Sequence, residues 1–230
     1  MNRRATRRTA QFLLCAVVYV ASLAVASPGW GAAPDDCHAL RKHGHRPEAQ
    51  KCYQSLSTAN DPYQRAEGFW GLQLYQEANN QFRIAVAQSL ANAMYRVRWG
   101  RLMHERFNNT DAANLFKEAL DKDPKNAQAY YGLALVSADG FDSKAVEYTA
   151  KAIELDPKLA EAHELMANLQ LEDSDEAKAF AEADDALKIS SEALDAMATH
   201  AAIEILAIDF AILPNQTFLL KTEFLVKGDS

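Results

Sequence analysis

The sequence predicts an all-α chain built as a solenoid of antiparallel helix pairs. Three observations point to this. Small residues recur every 33 or 34 positions at Ala78, Ala112, Ala145 and Ala179, and again seven residues later at Ala85, Ala119, Ala152 and Ala186. A second small series with the same period precedes these, at Ala66, Gly100, Ala134, Ala167 and Ala201. The segments 120–124 and 153–157 both end in Asp-Pro and are near copies of each other. Composition agrees: 49% apolar residues with only 9 Gly and 7 Pro suits packed helices and excludes a disordered chain.

Each repeated position has a physical reason. Small residues on the first helix of a pair face small residues on the second, so the two backbones can approach closely. Phe82 and Phe116, four residues after Ala78 and Ala112, fill the space beneath that crossing; Thr149 and Ala183 occupy the same place later. The Pro after each second helix sets the backbone that opens the next first helix. A lone pair cannot bury its apolar face, so stacking supplies the core.

This period and pattern resemble the tetratricopeptide-repeat (TPR) family over residues 59–206. Repeats are expected at 59–92, 93–126, 127–159 and 160–193, with a half repeat at 194–206. Tyr130 fits the family's aromatic position early in the first helix, whereas Leu90 and Ser191 stand where its Pro is expected. The resemblance implies a right-handed superhelix whose first helices line a concave groove that holds a protein or peptide.

Residues 1–26 read as an export signal. Arg3, Arg4, Arg7 and Arg8 come first, an apolar run follows from Phe12 to Ala26, and Ala24-Val25-Ala26 precedes the helix-breaking Ser27-Pro28-Gly29. The run spans 15 residues, short of the roughly 20 a membrane helix needs. An uncleaved inner-membrane anchor is the alternative. Export places the chain in the periplasm or outside the cell and leaves Cys37 and Cys52, an even number for an oxidising compartment. Residues 27–58 read as a degenerate N-terminal helix pair. In the repeat register Cys37 takes the small first-helix position and Cys52 faces it, which suits a disulfide; two buried thiols are the alternative. The apolar tail 207–230 lacks the repeat spacing and reads as a non-repeat segment.

Charge excludes one class of partner. The chain carries 24 basic and 31 acidic residues; with the four N-terminal arginines set aside, 20 bases face the same acids. Nucleic-acid binding is not expected of so acidic a chain.

No catalytic constellation is present, and neither an enzyme nor a cofactor is expected. His163-Glu164 lacks the second His that a zinc-protease helix requires, because Ala167 stands there, and the pair reads as repeat surface. Cys37, His38, His43 and His45 match no metal-finger spacing and read as a solvated loop, so no metal site is expected. Family members of this style sometimes precede a zinc-peptidase domain, which gives the alternative that this is the N-terminal part of a larger exported enzyme.

The groove is expected at Trp70, Arg98, Arg101, Tyr131 and Asn168. Arg98 and Arg101 are three apart and share one helix face. The family register puts them on the concave wall, with Trp70 one repeat before and Tyr131 and Asn168 in the two after. Arginines beside aromatics suit a partner with an acidic or carboxylate group. The competing expectation is that the arginines pair with acids of neighbouring repeats.

Overall fold

The computed structural model describes residues 33–206, so the predicted signal at 1–26 and tail at 207–230 lie outside the described residues. Eleven α-helices and no strand are present among the described residues. They are α1 (Pro34–Lys42), α2 (Arg46–Ser57), α3 (Pro62–Gly71), α4 (Tyr75–Gln88), α5 (Ala93–Glu105), α6 (Asn109–Lys122), α7 (Ala127–Asp139), α8 (Lys144–Leu155), α9 (Ala160–Glu172), α10 (Glu176–Ile189) and α11 (Leu194–Leu206). Successive helices pack on one another as pairs, and α5, α7 and α9 pack in sequence on one wall. No described helix is long and apolar enough to cross a membrane.

Local chemistry fixes the helix boundaries. Asp61, Asn92, Asn108, Asn126 and Asp175 each accept a hydrogen bond from a backbone N–H in the first turn that follows, satisfying a donor the helix leaves orphaned. The two Asp-Pro copies build the same turn. Asp123 Oδ1 accepts from the Lys125 N–H at 3.1 Å, and Asp156 Oδ1 accepts from the Lys158 N–H at 3.0 Å. Each turn inside a pair holds one residue with positive φ: Gly44, Gln73, Phe107, Phe141 and Ser174.

The small-residue series is the core. Ala66, Ala78, Ala112, Ala119, Ala134, Ala152, Ala167, Ala179 and Ala186 are all buried. Phe116 is wedged between α5 and α7. A Cβ on Gly100 or Gly132 would lie 2.7 or 2.3 Å from its ring. Ala201 departs from the expected pattern, being exposed. The small first-helix position is covered by the second helix of its pair, and no described helix follows α11; α11 instead buries Ala196, Thr199 and Ile203.

The backbones of α2 and α3 approach closely at Gly68. A Cβ on Gly68 would sit 2.3 Å from the Ser57 nitrogen and 2.7 Å from the Leu56 carbonyl carbon. Both are main-chain atoms, so no rotamer change relieves the clash. Gly68→Ala is expected to destabilise the chain by about 1–3 kcal/mol. Gly140→Ala, with nothing closer than 3.6 Å, should change little. Thermal unfolding of the two variants checks this, and equal midpoints would refute the α2–α3 contact.

The first and last described pairs also meet. Lys42 Nζ lies 3.5 Å and His43 Nδ1 3.2 Å from the Glu192 carboxylate in the turn before α11. All three side chains are about half exposed, so this contact adds little to stability.

Candidate functional site

The cleft on the first-helix wall is assembled by α1, α3, α5 and α7. It has a volume of about 290 Å³ and is lined by His38, Arg41, Trp70, Arg98, Arg101, His104 and Leu135, among others. A second hollow of about 310 Å³ shares His38, Arg98 and Arg101 with it and extends toward Tyr63 and Gln128.

Beneath the cleft lies a buried carboxylate that the repeat register does not single out. Glu67 of α3 has no exposed surface. Arg98 donates to it through both arms of its fork, from Nε to Oε1 at 2.6 Å and from Nη2 to Oε2 at 2.7 Å. His38 Nε2 lies 3.2 Å from Glu67 Oε2, and His38 Nδ1 lies 2.9 Å from the Tyr53 hydroxyl. His38 Nε2 also lies 3.0 Å from Arg98 Nη2, so the neutral ring has two arrangements: Nε2–H donates to Glu67 while the Tyr53 hydroxyl donates to Nδ1, or Nε2 accepts from Arg98 while Nδ1–H donates to the Tyr53 oxygen. Burial pushes the Glu67 carboxyl upward, but the hydrogen bonds from Arg98 and His38 and the charge of Arg98 outweigh it and hold the group down at about 2.

Arg98 is therefore committed to a partner within the chain. Its guanidinium also stacks over Trp70 at 4.6 Å, and Trp70 Nε1 donates to Glu105 at 2.7 Å. Arg101 differs. It has no carboxylate partner among the described residues and lies over the Tyr131 ring at 5.8 Å. Tyr131 is nearly buried; burial raises its hydroxyl to about 12 against the opposing charge of Arg101. Arg41 donates to the Gly71 carbonyl and stacks on Tyr53 at 4.4 Å. His104 lies 3.0 Å from Asp139.

The structure thus brings Trp70, Arg98, Arg101 and Tyr131 together, but not Asn168. Asn168 Oδ1 accepts from the Thr199 hydroxyl of α11 at 2.9 Å, which ties it to the next repeat, and it does not line the cleft. Two further expectations are corrected. His38 is not in a solvated loop: it sits on α1 and closes over Glu67. His163 is not repeat surface. It is buried, with Nδ1 2.7 Å from Glu182 and Nε2 3.2 Å from the Pro157 carbonyl, while Glu164 accepts from the first N–H groups of α11. Cys37 and Cys52 are joined by a disulfide that links α1 to α2. Among the described residues no group of three or more His, Cys, Asp or Glu side chains is placed to hold a metal.

A signal for Glu67 is nonetheless present in the sequence. It follows Ala66 as Arg101 follows Gly100, so the two occupy equivalent positions one repeat apart. An acid on the groove register beside two arginines on the same register is a candidate ion pair.

No protein-family model and no curated protein matches the sequence. Solved structures do resemble it. TTC0263, a thermophilic TPR protein of Thermus thermophilus, superposes with a TM-score of 0.61 at 19% identity, covering 75% of this chain and 100% of its own. PilF of Pseudomonas aeruginosa gives 0.53 at 17% identity, covering 76% and 90%. At such identities the likeness is one of fold. Paired helices, a core of small residues repeating every 33 or 34 positions and this likeness together establish that the chain has the tetratricopeptide-repeat fold.

Proposed function

We propose that the chain is a non-catalytic interaction scaffold of the cell envelope that holds a protein or peptide partner on its first-helix wall. The partner presents an acidic side chain or a terminal carboxylate to the cleft. The observation that carries this is Arg101, a cation lining the cleft with no carboxylate partner among the described residues. Arg41 adds a second positive group, and the partly exposed Trp70 offers an aromatic surface on which a chain can lie, while the buried Tyr131 supports Arg101 from below. Arg98 serves the site by holding the floor, because its fork is already filled by Glu67. An envelope location accords with the signal-like N-terminus and with a disulfide, a bond that persists in oxidising compartments.

The test separates the two arginines. Tagged protein captures its partner from a periplasmic extract, mass spectrometry identifies it, and the purified pair is titrated. Arg101→Ala is expected to weaken binding by roughly 10- to 100-fold, the worth of a charge-assisted hydrogen bond, with an almost unchanged melting temperature. Full-strength capture by a well-folded Arg101→Ala protein would remove the cleft assignment.

A further inference from the structure

Phe107 and Phe141 are 88% and 92% exposed, more than any other large apolar side chain among the described residues. Both also have left-handed backbones, with φ of 58° and 53°. That region is unfavourable for a bulky residue, and the equivalent turn of the first pair uses Gly44 there. Two consecutive repeats thus place an unburied ring on a left-handed backbone at the same position; the turns' backbone hydrogen bonds explain the backbone, but nothing among the described residues covers the rings. The two turns are neighbours. Asn109 Nδ2 donates to Asp139 at 3.1 Å, and His104 Nε2 lies 3.0 Å from the same carboxylate.

Charges of opposite sign flank the rings. Arg106 precedes Phe107; it stacks on Tyr75 at 4.5 Å and meets no carboxylate among the described residues. Asp142 follows Phe141, and its side chain accepts from the Lys144 N–H at 3.0 Å. The order cation, ring, ring, anion is complementary to itself when turned end for end. We propose that this ridge binds a second copy of the chain about a two-fold axis. Each Phe107 packs against the Phe141 of the other copy, and each Arg106 faces the other copy's Asp142.

An isologous contact of this kind closes at the dimer. Each ring can bury on the order of 150–250 Å², so four rings and their flanks approach the low end of a specific interface, about 1,200 Å². That suits reversible association. An anionic bilayer fits less well, because Asp111, Asp139 and Asp142 are exposed on the same edge.

Sedimentation equilibrium of the full chain tests the proposal. The native protein is expected to show a monomer–dimer equilibrium at roughly micromolar concentrations. Phe107→Gly with Phe141→Gly should weaken it at least about tenfold while raising the melting temperature by a few degrees, since the strain is relieved. Arg106→Asp alone should weaken the dimer, and adding Asp142→Arg should restore it, because the exchanged charges meet across the axis. A native protein that stays monomeric overturns the proposal, as does a dimer indifferent to the phenylalanine pair or one that the charge exchange does not restore. Pelleting with phosphatidylglycerol vesicles in place of self-association would assign the ridge to a membrane and overturn it equally.

Discussion

Arg98→Ala is expected to destabilise the chain by about 3–5 kcal/mol, the usual cost of removing one partner of a buried ion pair. The loss does not come from the arginine's own contacts alone. Glu67 has no exposed surface in the native chain, and without the fork its carboxylate loses two charge-assisted hydrogen bonds and the arginine's charge, leaving the His38 contact and the Tyr63 hydroxyl. Glu67→Met with Arg98→Met should recover much of the loss, since the apolar pair removes the charge together with its partner. The prediction fails if Arg98→Ala melts where the native protein does.

The same pair gives the chain an acid-sensitive point. The folded Glu67 carboxyl is held at about 2, below its ordinary 4.5. A depressed carboxyl contributes stability that is fully present above the unfolded value and is lost as pH falls through the window toward the folded one. Between about pH 5 and 2 the native chain should therefore lose stability faster than the double-Met variant. His38 and Arg41 reach this region from α1, so loosening of the pair should also open the cleft.

How much of this is legible in the sequence depends on what each residue answers to. The pairs α3 to α10 and the small residues between them obey a period, because each repeat solves the same packing problem. Phe116 against Gly100 and Gly132 is one instance. Glu67 obeys no period: no other repeat has an acid at its position, and its meaning lies in α1 and α5 at once. Arg98 and Arg101 look like a matched pair for the same reason, since a one-repeat register cannot show that one of them is already occupied. His163 reads as surface because the repeat pattern allows a polar side chain there, whereas Glu182 on α10 and the Pro157 carbonyl allow it to be buried. Asn168 has the register of a groove residue, but Thr199 satisfies it from α11.

Removing the Cys37–Cys52 bridge is expected to cost roughly 3 kcal/mol, the chain-entropy value for a loop of this size; the bonded cysteines are 15 residues apart. Its effect should concentrate on α1. That helix has nine residues, too few to be stable alone, and buries a single residue, Cys37 itself. What otherwise retains it is mostly polar: His38 against Glu67, Arg98 and Tyr53, Arg41 on Gly71 and Tyr53, and the half-exposed pairs at Glu192, with Leu40 adding a partly buried apolar contact. Cys37→Ser with Cys52→Ser should therefore lower the melting temperature and deprotect the α1 amides to hydrogen exchange well before those of α5 to α8. Reductant should do the same to the native protein and nothing further to the variant. The cleft would lose His38 and Arg41 from one wall, so affinity for the proposed acidic partner should fall even where the remaining pairs stay folded. Alkylation of the protein, denatured without reductant, decides the premise: labelled Cys37 and Cys52 peptides would show two thiols and refute the prediction, while their absence leaves the bridge as the tie that keeps α1 on the cleft.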